Sequence, residues 1–201
     1  MSRPVATFWF EFASTYSHVA AQRVGALAAA RGVDLVWRPF VLGAIFQAKG
    51  WTTSPFNTDP TKGAYMWRDM ERLSARLGLP LRMPNPFPAR SMLAARVAVQ
   101  IQDRPEIGAF TRAVYAAEFV DGADIADPPL LASLAERLGL DGAGLIQGAA
   151  SDPVKAALRA NTDEAVRRGF VGAPTMTIGD EQFWGNDRLE EALDWAVKPW
   201  A

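Results

Sequence analysis

Phe10-Glu11-Phe12-Ala13-Ser14-Thr15-Tyr16-Ser17 carries a strand directly into a helix, with a serine at the junction. Upstream, Val5 to Phe12 is dominated by β-branched and aromatic residues and interrupted late by Glu11, the composition of a mostly buried strand. Downstream of Tyr16, the apolar residues Ala20, Val24 and Leu27 recur at helical spacing, and Gly32 stands where a C-terminal stop belongs. A second strand pattern, Leu35-Val36-Trp37-Arg38-Pro39-Phe40, follows within a few residues. A strand-helix-strand crossover of this kind favours parallel pairing.

The segment from Gly43 to Pro60 is rich in Gly, Thr, Pro and Asn and reads as a loop, after which Lys62 begins a helix with Met66, Met70, Leu73 and Leu77 on one stripe. Pro84-Asn85-Pro86-Phe87-Pro88 predicts a rigid turn, because its prolines lack donors and fix the backbone angles. Helical patterns follow at 89–102, 106–119, 129–138 and 153–169. The β signal returns as Thr175-Met176-Thr177-Ile178 and Gln182-Phe183-Trp184, joined by Gly179-Asp180 as a hairpin. A last helix carries Leu189, Ala192, Leu193 and Ala196. The order is β-α-β, an all-helical insertion, then β-β-α. It predicts an α/β fold from residues 1–42 and 170–201, interrupted by a helical domain at 43–169 that forms a second lobe and leaves a cleft.

Composition narrows the chemistry. The 201 residues carry a formal net charge of -1 and no long single-sign run, which argues against a nucleic-acid footprint or a polybasic membrane surface. Neither an export signal nor an apolar run long enough to span a bilayer is evident, so a cytoplasmic protein acting on a small molecule is expected. Cysteine is absent, which excludes a disulfide framework, a zinc-thiolate site and redox chemistry on the protein's own sulfur. The single histidine, His18, has no second histidine to complete a metal site. Lying four residues after Ser14 it shares that helix face, but no G-x-S-x-G elbow accompanies it, and it reads as structural or cleft-lining.

Ser14 suits two roles, as an N-cap or as an O-H donor beside the free N-H groups of a helix start. A thiolate held there has its pKa lowered from about 8.5. In Gly172-Ala173-Pro174-Thr175, Pro174 is either an ordinary strand-initiating proline or a cis proline presenting the Ala173 backbone to a peptide-like ligand. Asp187 and Glu190 have capping-box spacing at the last helix, while Asn186 and Asp187 also suit the charged groups of an amino-acid-like ligand. A lysine in a first helical turn opposes the macrodipole, which gives Lys62 a ligand-facing alternative to ordinary solvation.

Together the Ser14 segment, Lys62-Gly63-Ala64-Tyr65, Gly172-Ala173-Pro174-Thr175 and Trp184-Gly185-Asn186-Asp187-Arg188-Leu189 resemble the 2-hydroxychromene-2-carboxylate isomerases and the related kappa-class glutathione transferases. The resemblance implies a thioredoxin-like fold with a DsbA-like helical insertion, and a serine in place of the redox cysteine. It implies glutathione as cofactor, a small aromatic substrate and a homodimer. Ser14 would hold the glutathione thiolate, and Lys62 with Asn57 (or Thr52 or Thr53) would contact the tripeptide. Ala173 before cis Pro174 would pair with its cysteinyl backbone, and Asn186 and Asp187 would bind its γ-glutamyl end. The implied reaction is isomerisation of an unsaturated aromatic keto acid by reversible thiolate addition. Alternatives are a transferase or peroxidase that consumes glutathione, and a non-catalytic glutathione- or peptide-binding protein. Where the family often has Ser-Pro-Tyr, this chain has Ser14-Thr15-Tyr16.

Overall fold

The computed structural model describes residues 2–200. Strand β1 (Val5–Phe10) leads through a turn into helix α1 (Thr15–Ala30), and β2 (Asp34–Pro39) returns parallel to β1, pairing Val5 with Asp34 through to Phe10 with Pro39. β3 (Thr175–Ile178) pairs antiparallel with β1, and β4 (Glu181–Trp184) antiparallel with β3, giving the order β2-β1-β3-β4. The expected parallel crossover and C-terminal hairpin are both present. β1 ends at Phe10 rather than Phe12, because the backbone turns there and Ser14 N-H donates to the Glu11 carbonyl (3.0 Å).

Between β2 and β3 the chain is helical: α2 (Leu42–Ala48), α3 (Pro55–Thr58), α4 (Pro60–Leu77), α5 (Met92–Gln100), α6 (Ile107–Ala116), a π-helical turn at Ala117–Asp121, α7 (Pro128–Glu136), α8 (Gly142–Gly148) and α9 (Asp152–Arg167). The expected loop before Lys62 therefore contains α2 and α3. α4 starts at Pro60 rather than Lys62, with Asp59 as its cap: Oδ1 accepts from the Thr61 (3.0 Å) and Lys62 (3.2 Å) amides. Gly78 closes α4 in the left-handed region (φ 65°), where a side chain is disfavoured. A 3-10 turn, Asn186–Arg188, leads into α10 (Leu189–Val197).

One hydrophobic cluster joins Phe8, Phe10 and Phe12 from the sheet side to α1 (Ala20, Val24), α10 (Leu189, Leu193) and the insertion (Phe110, Tyr115, Leu131, Leu158). Sheet and insertion share this core, so the turn after β1 is gripped from both sides. No helix among the described residues is long and apolar enough to cross a membrane.

Candidate active site

Ser14 has extended backbone angles (φ -95°, ψ 117°) and caps α1, its Oγ accepting from the Ser17 amide (3.2 Å). The same hydroxyl donates to the carbonyl of Ala173 (3.0 Å), 159 residues away. Ala173-Pro174 is cis, and the Pro174 carbonyl accepts from the Gly185 amide (3.0 Å). Ser14, the cis-proline loop and the 185–187 turn are thus brought together by these two hydrogen bonds. The start of α1 lies beside the Ser14 hydroxyl, whose proton is committed to Ala173, and a helix start of this kind favours an anion.

The 186–187 turn differs from the capping-box expectation. No side chain caps α10, because Glu190 reaches across to pair with Arg23 of α1 instead of folding back on its own helix. Arg23 also donates to Asn186 Oδ1 (3.0 Å), so buried Asn186 is braced against α1. Asp187 remains solvent-facing. Tyr16, next to the Ser14 turn, donates to Asp69 Oδ2 (3.0 Å) and joins α1 to α4; burial, then Asp69, pushes its phenol pKa upward.

Lys62 lies in a 340 Å³ concavity with Gly50, Trp51, Thr52, Pro55, Thr58 and Asp59, its Nζ 3.9 Å from Asp59 Oδ2. The Asp59 cap answers the helix dipole that Lys62 opposes, so that mismatch no longer singles the lysine out. Of the three alternatives beside it, Thr52 lines this concavity, whereas Asn57 donates from Nδ2 to the Phe87 carbonyl (3.3 Å).

His18 is 2% exposed, stacks on Phe119 (4.9 Å, 22°), and neither ring nitrogen has a hydrogen-bond partner among the described residues. Burial lowers its pKa to about 4, so it is neutral near pH 7 and makes no relay with Ser14.

Glu11, Tyr115 and Arg23 also support this site. Glu11 left a trace as the one charge in an apolar strand run. Tyr115 and Arg23 left none, since their partners are 104 residues or more away in sequence.

A DSBA-like thioredoxin domain family model matches residues 5–194. The chain is 33% identical over 184 residues to a 2-hydroxychromene-2-carboxylate isomerase from Sphingobium xenophagum, covering 91% of this chain and 93% of that one. It is 26% identical to glutathione S-transferase kappa 2 from Caenorhabditis elegans, covering 98% of this chain and 94% of the relative. A solved 2-hydroxychromene-2-carboxylate isomerase superposes with a TM-score of 0.84 at 27% identity, covering 92% of this chain and 90% of that structure. With a serine where the strand meets the helix and a cis proline facing it, the chain belongs to the 2-hydroxychromene-2-carboxylate isomerase family of DSBA-like thioredoxin-domain proteins.

Proposed function

We propose that this protein is a glutathione-dependent isomerase of an unsaturated aromatic keto acid, of the 2-hydroxychromene-2-carboxylate to trans-o-hydroxybenzylidenepyruvate type. The observation that carries the reading is the Ser14 hydroxyl, 3.0 Å from the Ala173 carbonyl before cis Pro174, at a helix start in a chain without cysteine. In the free protein that hydroxyl donates to Ala173. A peptide-like ligand pairing with the Ala173 backbone would take over the carbonyl and release the Ser14 proton to the ligand's sulfur. Asp187 would pair with the α-ammonium of the γ-glutamyl end, next to the braced Asn186. Lys62 would meet a carboxylate, with Asn57 or Thr52 beside it.

The cyclic hemiketal would first open, its C2–O1 bond breaking as the 2-hydroxyl proton passes to the phenolic oxygen and a ketone forms. Bound glutathione would supply a thiolate able to add reversibly to the conjugated carbon of that open form, turning its C=C bond into a rotatable single bond until the thiolate leaves, with no net change in protons or electrons. A thiolate of moderate pKa suits both directions, being nucleophile and leaving group in turn. The protein would work as a cytoplasmic homodimer.

The test is an assay with 2-hydroxychromene-2-carboxylate, with and without glutathione, followed by measurement of free thiol. Turnover that requires glutathione and returns it quantitatively supports the isomerase. Loss of thiol matching product would favour the second reading, a transferase or peroxidase, which the likeness to kappa-class transferases supports. Tight glutathione binding with no turnover would favour a binding protein.

A further inference from the structure

Glu11 is 6% exposed and Glu118, in the π-helical turn, is fully buried, and the two carboxyl groups interact within the core behind the Ser14 turn. Their surroundings are opposite. Glu11 Oε1 accepts from the Ala13 amide (3.3 Å) and Oε2 from the Leu42 amide (2.9 Å), with the Ser91 hydroxyl and the Phe12 amide as further donors. Neither oxygen of Glu118 has a partner among the described residues. Only an ionised carboxylate offers enough acceptor sites for converging donors, whereas a carboxyl without donors keeps its proton. Burial first, then the Glu11 charge, raises the Glu118 pKa well above its ordinary range. Burial raises the Glu11 pKa as well, but its donors oppose that rise, so of the two carboxyl groups Glu11 is the one equipped to carry a charge.

The main chain of Glu11 is equally engaged. Its carbonyl accepts from the Ser14 amide (3.0 Å) and from the hydroxyl of fully buried Tyr115 (2.8 Å). One residue thus fixes the Ala13 and Ser14 amides and ties the turn to residue 42. The cap on Ser17 and the bond to Ala173 hold the Ser14 Oγ directly and the His18 amide holds the Ser14 carbonyl (3.0 Å), while Glu11 fixes the backbone that enters this residue.

We propose that Glu11 is a positioning residue for the thiol site: its carboxylate and its Tyr115-braced carbonyl hold the 11–14 turn so that the Ser14 hydroxyl points at the sulfur. The proposal rests on the glutathione reading above. It makes Glu11 a determinant of how acidic the bound thiol becomes, rather than of how tightly the tripeptide binds.

Two variants test it without altering the charge of the pair. Glu11→Asp keeps the carboxylate but shortens its reach, so one side chain no longer spans the Ala13 and Leu42 amides. Tyr115→Phe removes the hydroxyl that braces the Glu11 carbonyl and that neighbours the Ser17 side chain. Binding of reduced glutathione is measured calorimetrically, and ionisation of the bound thiol by thiolate absorbance against pH. Glu11→Asp is expected to raise the bound thiol's pKa by about one unit and to lower turnover roughly tenfold. Tyr115→Phe should act in the same direction and less strongly. Affinity for glutathione at a pH where the thiol is protonated should stay within about threefold in both. An upward shift in either variant at near-constant affinity supports the proposal. Wild-type ionisation in both, even with lower thermal stability, overturns it and leaves Glu11 a purely structural residue. If Glu11→Asp does not fold, Tyr115→Phe decides alone. If wild type binds no glutathione at millimolar concentration, the glutathione reading itself fails, an outcome distinct from bound glutathione with unshifted variants.

Discussion

The Ser14 turn and residues 52–62 would meet the same ligand in the proposed function but are built in opposite ways. Around Ser14 the bonds arrive from distant parts of the chain: the Ala173 carbonyl, the Tyr115 hydroxyl and the Leu42 amide. Around Lys62 they are mostly local, with Asp59 capping its own helix and Ser54 accepting from the nearby Phe56 amide. Asn57 to Phe87 is the longer reach there. Trp51 is 44% exposed, with Phe46 and Lys49 as aromatic and cationic neighbours. A hydroxyl that tunes a sulfur must be placed to a fraction of an ångström, and long-range bonds in a shared core provide that. A surface that receives the remainder of a ligand needs area and charge, which short, locally bonded helices supply.

Removing the placed atom gives the largest expected effect. Ser14→Ala should lower kcat/KM roughly 100-fold, the scale of losing one oriented donor to a developing anion. Its capping loss should cost only about 1 kcal/mol of stability, measurable by denaturant unfolding. Comparable losses in affinity and in turnover would show that the turn binds rather than activates.

A second prediction concerns the buried histidine of the same region. The folded pKa of His18 lies at about 4, below the ordinary 6.5, so stability is full above pH 6.5 and falls as the pH drops through 4. The expected loss approaches roughly 3 kcal/mol, and His18→Leu should flatten it. Urea unfolding of both proteins at a series of pH values provides the measurement.

The looser region is probed at Gly63, where an added Cβ would stand 2.5 Å from the Phe56 carbonyl oxygen. Gly63→Ala must therefore displace α3 from α4 and should weaken glutathione binding several-fold while the bound thiol's pKa stays at the wild-type value. A shift in both would mean that the two regions are mechanically coupled. The smallest effect is expected at Glu118. Its folded pKa is raised above 4.5, so stability is fully present below that pH and declines as pH rises through the folded value. Glu118→Leu should be more stable than wild type at pH 8, by about 1 kcal/mol, with the gain vanishing near pH 4.

The fold was legible wherever local chemistry decides it. The aromatic and β-branched runs of β1 and β3 and the hairpin turn at Gly179 each act within a few residues, and each lies where expected, β1 ending two residues early. α2, α3 and α8 were not legible, being only four to seven residues long, too short for a helical stripe to register. In the site, Ser14 and Pro174 stood out through their positions beside strands, whereas the cis form of Pro174 was implied by the family resemblance alone. The Asp187 and Glu190 spacing misled because Glu190 answers to Arg23 on another helix. Glu11 showed only as a misplaced charge, and the reason for its place lies in donors from residues 13, 42 and 91.

The most direct test of the central claim, that this cysteine-free protein borrows a thiolate at Ser14, is to titrate the thiol of bound glutathione in wild type and Ser14→Ala by its ultraviolet absorbance. The thiol should ionise at least about one unit below its reference value near 8.5 in wild type and move back toward that value in Ser14→Ala. An unshifted thiol in wild type, or the same depression in both proteins, would contradict the account.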